Sequence, residues 1–225
     1  MNILRFAPSL FKLFGIASLF GLGVLAACDR TDSAQTKVAA AAQGGAPCVV
    51  PHFFAGGELR KADEALFAAS ASGDLRQAEL AIEAGADVNA SGLLNRTPLF
   101  AAAFCDRAEL ARLLLDKGGQ ANVKDGTGMS SLHAAVILGA ADTTKLLVAK
   151  GADINILDGA GRTPLHLAAA TDQVAIAEFL LERGANTLLR DKNGLTAAAL
   201  AGENGHPRLK DVIANVQKKA VPAKK

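Results

Sequence analysis

Hydrophobic residues are spread along this chain in three regimes. From Gly15 to Ala27 every residue is apolar or small and none is charged, behind a leader that carries Arg5 and Lys12. From Asp29 to Pro47 the chain turns to Ala, Gly, Gln, Ser and Thr, with no hydrophobic periodicity. Further on, apolar residues return in clusters: Leu113-Leu114-Leu115, Leu146-Leu147-Val148 and Phe179-Leu180-Leu181, followed by Gly118, Gly151 and Gly184. A helix that ends on a glycine in the left-handed conformation accounts for each cluster and its punctuation.

The clusters repeat with a fixed period. Thr97, Ser130, Thr163 and Thr196 are each 33 residues apart, without insertion or deletion. Around them Asn95-Arg96-Thr97-Pro98-Leu99 returns as Gly128-Met129-Ser130-Ser131-Leu132, Gly161-Arg162-Thr163-Pro164-Leu165 and Gly194-Leu195-Thr196-Ala197-Ala198. A second series keeps the phase: Gly85-Ala86-Asp87, Gly118-Gly119-Gln120, Gly151-Ala152-Asp153 and Gly184-Ala185-Asn186. Counting back one period from Thr97 reaches Glu64-Ala65-Leu66, a degenerate first unit.

Each feature of the period has a physical reason. A Thr or Ser hydroxyl at an N-cap accepts a hydrogen bond from a helix N–H that would otherwise lack a partner. Proline at the next position loses nothing, because that N–H has no intrahelical acceptor. Leu99, Leu132 and Leu165 then point into a stack of neighbouring units. His133 and His166 follow one residue later, where an imidazole can bond backbone groups across the boundary to the next unit.

The string Thr163-Pro164-Leu165-His166-Leu167-Ala168-Ala169, with Gly151-Ala152-Asp153-Ile154-Asn155, closely resembles the ankyrin-repeat pattern. The resemblance covers roughly residues 58–217. It implies an all-α solenoid of five stacked helix-turn-helix repeats with short β-turn fingers. The repeats would span about 58–90, 91–123, 124–156, 157–189 and 190–217. Phe100 and Asn95 depart from the pattern where its His and turn Gly stand. The first and fifth units lack the full motif, as capping repeats should. Pro207, Lys210, Asp211 and Lys218 give the fifth the polar face that a solenoid end needs to stay soluble.

The same resemblance implies that a protein partner binds the concave face, made of fingers and inner helices. Carried over position by position, the candidates are Leu94, Arg96 and Phe104 in the second unit, Met129, Ile137 and Leu138 in the third, and Arg162 in the fourth. The sets of the second and third units read as a contiguous apolar stripe, and exposed apolar area of that kind marks a binding surface. Equally, residues 48–57 could fold back over it, because Val49, Val50, Phe53 and Phe54 favour burial. Both readings stay open.

The amino terminus resembles a bacterial lipoprotein signal peptide. The uncharged run is shorter than the ~20 residues that span a bilayer. It ends in Leu25-Ala26-Ala27-Cys28, which looks like a lipobox. That resemblance implies cleavage after residue 27 and acylation of Cys28, with palmitate-type chains contributing about 0.8 kcal/mol per buried CH₂ to membrane attachment. A plain signal peptide or an uncleaved anchor is the alternative. Residues 28–57 then read as the lipidated cysteine, a spacer and an N-terminal capping segment; residues 218–225 read as a basic, disordered tail. The expected place is the bacterial cell envelope, lipid-anchored and facing the periplasm, at either membrane.

With Cys28 acylated, Cys48 and Cys105 are the remaining thiols, and an oxidising compartment permits them to pair. Two free cysteines are the alternative. Cys48 and His52 have a spacing that a metal could use, but structural zinc takes four ligands, so no metal is implied.

Composition narrows the function classes. The chain has no Trp or Tyr, and its formal charge is +2. Both surplus positives lie in the first 27 residues, which leaves 22 basic and 22 acidic residues beyond them. Nucleic-acid binding needs a clustered basic surface, and this balance argues against it. No Gly-x-Ser-x-Gly, His-Glu-x-x-His or phosphate-loop string occurs, so neither an enzyme nor a cofactor is expected. The expected function is that of a monomeric, envelope-anchored scaffold binding a periplasmic or membrane protein. Alternatives are an immunity-type inhibitor of a secreted envelope toxin such as a lipase, or an accessory to a periplasmic stress-protection enzyme.

Overall fold

The structure is a computed structural model that describes residues 59–220, with side chains described for residues 59–217. Its elements follow the 33-residue period. Five helical hairpins succeed one another: α1 (Lys61–Ser72) with α2 (Leu75–Glu83), α3 (Pro98–Phe104) with α4 (Ala108–Asp116), α5 (Ser131–Ile137) with α6 (Ala141–Ala149), α7 (Pro164–Ala170) with α8 (Val174–Glu182), and α9 (Ala197–Glu203) with α10 (Pro207–Ala220). No strand pairing occurs among the described residues beyond one isolated bridge, between Lys124 and Ser130. The expected all-α repeat solenoid is the observed fold.

The inner helices start where the threonines and serines stand. Thr97 accepts a hydrogen bond from the N–H of Phe100 at 3.2 Å, and Ser130, Thr163 and Thr196 accept from His133, His166 and Ala199 at 3.4, 3.3 and 3.3 Å. Each satisfies one donor that the first helical turn leaves over. The first unit has no such cap. Arg60 precedes α1 without capping it, its side chain donating to Asp63 instead, and α1 runs for 12 residues against 7 in α3. At the other end of each middle hairpin, Gly118, Gly151 and Gly184 have φ of 91°, 89° and 86°. A Cβ on any of them would meet nothing within 4 Å, so the backbone conformation, not crowding, selects glycine there.

Inner helices pack on inner helices, α1 to α3 to α5 to α7 to α9, and outer on outer from α2 to α10. The core is the seam between these rows. Leu66, Leu99, Leu132 and Leu165 occupy one position of the period and are at most 1 % exposed. Leu114, Leu147, Leu180 and Ile213 do the same along the outer row, all fully buried. The ends show what the seam requires. Ala177 of α8 is buried, whereas Lys210, one period later in α10, faces solvent. In the same last helix Leu209 and Ile213 still face inward, fully buried. The fifth hairpin therefore closes the stack with one apolar and one polar side, as a terminal repeat must. Its helix continues to Ala220, so residues 218–220 belong to α10 and not to the expected tail. No helix among the described residues is long and apolar enough to cross a membrane.

Candidate ligand-binding face

Between hairpins the chain makes a finger, and an aspartate shapes three of them. Asp125 Oδ1 accepts from the N–H groups of Thr127 and Met129 at 2.8 and 3.0 Å. Asp158 Oδ1 accepts from Ala160 and Arg162, both at 2.8 Å, and Asp191 Oδ1 accepts from Asn193 and Leu195, both at 2.9 Å. A carboxylate that accepts two backbone N–H groups fixes the turn without tertiary help. The fingertips are then joined to one another. Gly126 N–H donates to Leu94 at 2.6 Å, Gly159 to Thr127 at 3.1 Å, and Lys192 to Ala160 at 2.9 Å, each to the carbonyl.

A second ladder runs beneath the tips. Asn89, Asn122 and Asn155 are one period apart, and their side-chain carbonyls accept from the N–H of Gln120, Asp153 and Asn186, all at 2.8 Å. The amide groups of Asn89 and Asn122 also donate to the carbonyls of Gly118 and Gly151 at 3.1 and 3.3 Å. These aspartates and asparagines keep the period as strictly as the threonines do. The aspartate and asparagine sets are absent from the sequence-based candidates, although their spacing was available.

His133 and His166 tie inner helices to the following fingers. The N–H of Ser130 donates to His133 Nδ1 at 3.2 Å, so the proton of a neutral imidazole sits on Nε2 and is donated to the carbonyl of Arg162 at 3.0 Å. His166 repeats this with Thr163 at 3.2 Å and the Leu195 carbonyl at 3.1 Å. Burial is the main cause that pushes His133 down to about 4 and lowers His166 from its ordinary value. Both are neutral structural struts at neutral pH, in the place and role expected for them.

The second finger is built differently. Gly92 stands where the later fingers have aspartate, and residues Leu93–Asn95 form a single 3₁₀ turn. Leu94 and Asn95 both take the left-handed conformation, with φ of 56° and 58°. For leucine that costs roughly 1–2 kcal/mol. In this conformation the Leu94 carbonyl meets Gly126 N–H, the fingertip bond that the other junctions also make. Its side chain is 46 % exposed and that of Leu93 44 %.

The seven residues carried over as partner contacts divide on these facts. Leu94 presents its side chain at a fingertip. Phe104, Ile137 and Leu138 are half-buried, and Phe104 stacks on Phe100 with centroids 6.4 Å apart. Arg96 and Met129 are corrected: each is only 3 % exposed, so neither offers its side chain to the surface. The Arg96 guanidinium lies 5.1 Å over the Phe100 ring and pairs with Asp125 at 3.2 Å. Burial lowers its pKa, and the hydrogen bond to Asp125 opposes that shift. Arg162 is half-buried, with Nε and Nη2 held by Asp158 at 2.9 and 2.7 Å. It braces its own finger. The expected apolar stripe is thus interrupted at Met129, and Leu93 and Leu94 are its most exposed part.

Cys105 ends α3 and is buried, 7 % exposed; it is disulfide-bonded. Cys28, Cys48 and His52 lie outside the described residues. Among the described residues, no three of His, Cys, Asp and Glu gather as a metal site would require.

A family model described as ankyrin repeats (three copies) matches residues 38–158 and 132–219, together most of the chain. The chain belongs to the ankyrin-repeat family. No curated protein matches it. Ankyrin repeats are protein–protein interaction modules and characteristically non-catalytic scaffolds, so this ankyrin stack is a protein-binding surface. Of its fingertips, that of the second repeat carries the large exposed apolar side chains, Leu93 and Leu94.

Proposed function

We propose that this ankyrin chain is an envelope-anchored scaffold that binds a periplasmic or membrane protein and has no catalytic activity of its own. In this reading Cys28 carries the lipid anchor, and a single copy of the chain is the working unit. The fingertip of the second repeat, Leu93 and Leu94, is the anchor point for the partner. Half-buried Phe104, Ile137 and Leu138 supply adjoining apolar surface.

One observation carries the choice of site. Leu93 and Leu94 are large, exposed and apolar on a turn whose backbone is held by a fingertip hydrogen bond, with Leu94 in a conformation that costs energy. Strained, exposed apolar residues of this kind are kept where function selects them. A preformed tip also loses little conformational entropy on binding, so its contacts are translated more fully into affinity. The Leu25-Ala26-Ala27-Cys28 string supports the anchor.

Photo-crosslinking in intact cells tests both parts. A benzoylphenylalanine at position 94 should yield an adduct with an envelope protein. The same probe at Leu80, an equally exposed leucine of the outer helix α2, should not. Metabolic labelling with an alkyne fatty acid should mark the chain and be lost in Cys28→Ser. Adducts that are absent at position 94, or as strong at position 80, would sink the proposed site. A chain that takes no label would sink the anchor.

A further inference from the structure

Cys105 is the cysteine of the second repeat alone: one period on, the same position holds Leu138, then Thr171, then Asn204. It sits at the end of α3, beside the half-buried Phe104. Its sulfur is in a disulfide, and the chain has two other cysteines, Cys28 and Cys48. An acylated Cys28 has its thiol consumed in a thioether, which leaves Cys48. Arg96, Phe100, Phe104, Cys105 and Arg107 all have interaction partners beyond those already named. These residues run the length of one inner helix, from Arg96 before its first turn to Arg107 beyond its last.

We propose that Cys48 pairs with Cys105, and that this bond staples residues 48–57 across the α3 end of the ligand-facing side. The pairing rests on the lipid-anchor reading of Cys28. The occupant of the Phe104 edge is then this chain's own leader, which takes Phe104 out of the contact surface proposed above and leaves the partner Leu93, Leu94, Ile137 and Leu138.

Chain length permits it. The described residues begin at Leu59, which packs on the core just before α1, and α1 packs on α3. Eleven Cα-to-Cα steps join Cys48 to Leu59. They reach up to about 36 Å when extended, several helix diameters more than a neighbouring helix end demands. The leader's chemistry suits the place as well. Val49, Val50, Phe53 and Phe54 are apolar, and the half-buried Phe104 ring, stacked on Phe100, offers them an aromatic edge. Formation of the bond takes one proton and one electron from each thiol. Both electrons pass by exchange to a disulfide oxidant, which leaves as a dithiol, and such oxidants belong to the envelope compartment.

Trypsin separates the three cysteines, since cleavage follows Arg30, Lys37, Arg60, Arg96 and Arg107. Non-reducing digestion of the full chain, extracted from membranes in detergent, should release peptide 38–60 linked to peptide 97–107. Free thiols in both peptides, or a link to Cys28 or between two copies, would overturn the pairing. A benzoylphenylalanine at Phe104 should then crosslink within the chain to residues 48–57, and that product should be lost in Cys48→Ser. Its persistence in Cys48→Ser, or an adduct from Phe104 to another protein in the oxidised chain, would overturn the strap. The outcomes also separate this inference from the scaffold reading. A linked peptide without any position-94 adduct keeps the strap and removes the binding site. Position-94 adducts with free Cys48 and Cys105 do the reverse.

Discussion

The second and fourth repeats share a period but hold their fingers in different ways. In the fourth, Asp158 binds the N–H groups of Ala160 and Arg162 and the guanidinium of Arg162, all within its own finger. In the second, Gly92 replaces that aspartate, and Arg96, the counterpart of Arg162, crosses to Asp125 of the third finger. One residue into the inner helix region the contrast continues. His166 bonds the carbonyl of Leu195 in the next finger, whereas Phe100 fills the same place with an aromatic ring that stacks on Phe104. A self-braced finger finds its charge partner within itself. The second finger borrows its charge partner, leaves its leucines outward and tolerates a left-handed Leu94. Regular repeats make the frame, and the irregular one carries the feature fit to recognise something.

That contrast can be broken from either side. The largest effect is expected from Asp158→Ala, which strips two backbone donors and one guanidinium of their acceptor. Urea unfolding should show a loss of roughly 3–5 kcal/mol, near the cost of orphaning a buried ion pair. A loss below about 1 kcal/mol would mean that the finger does not depend on its aspartate.

Acid should separate the histidine boundaries from the phenylalanine one. Burial holds His133 at about 4 in the folded chain, against 6.5 when unfolded. Between those values the unfolded chain binds a proton that the folded chain refuses. Stability is therefore complete above pH 6.5, falls as the pH drops toward about 4, and falls no further below it for this group. The total for His133 is on the order of 3 kcal/mol, and His166 adds to it in the same direction. His133→Phe copies the second repeat. It should flatten that part of the pH profile while costing about 1–3 kcal/mol at neutral pH for the orphaned Arg162 carbonyl and Ser130 N–H. An unchanged pH profile in this variant would refute the role given to His133.

The fingertip junctions should differ next. A Cβ on Gly159 would lie 2.2 Å from the Thr127 carbonyl oxygen, whereas one on Gly126 would lie 3.3 Å from that of Leu94. Gly159→Ala is expected to cost about 1–3 kcal/mol in thermal or urea unfolding, and Gly126→Ala clearly less. Equal losses would show that the tips move freely. The smallest effect, and of opposite sign, belongs to Leu94→Gly. Removing the Cβ from a left-handed site relieves roughly 1 kcal/mol, partly offset by the freer unfolded chain. The variant should be no less stable than the parent, yet lose the partner adduct made through this tip. A destabilised Leu94→Gly would mean that the leucine is packed rather than presented.

Much of this molecule was legible in one dimension, because its chemistry is local. Thr97, Ser130, Thr163 and Thr196 cap the inner helices through N–H groups three residues away, and Gly118, Gly151 and Gly184 follow the ends of the outer ones. A strict 33-residue repeat multiplied those short-range signals until the stack of hairpins was the one architecture that fitted. The buried leucines and the polar last helix followed from the same pattern. Exposure did not follow, since it depends on what sits one repeat away. Arg96 reads as a surface cation and is a buried one in the stack, paired with Asp125 and set over Phe100. Met129 reads as part of an apolar stripe until the stack encloses it. The left-handed Leu94 has no marker in its letters. Sequence alone determined the period, the caps and the class of fold. Tertiary contact decided which side chains of that period are left for a partner, because burial belongs to pairs of repeats and not to any one of them.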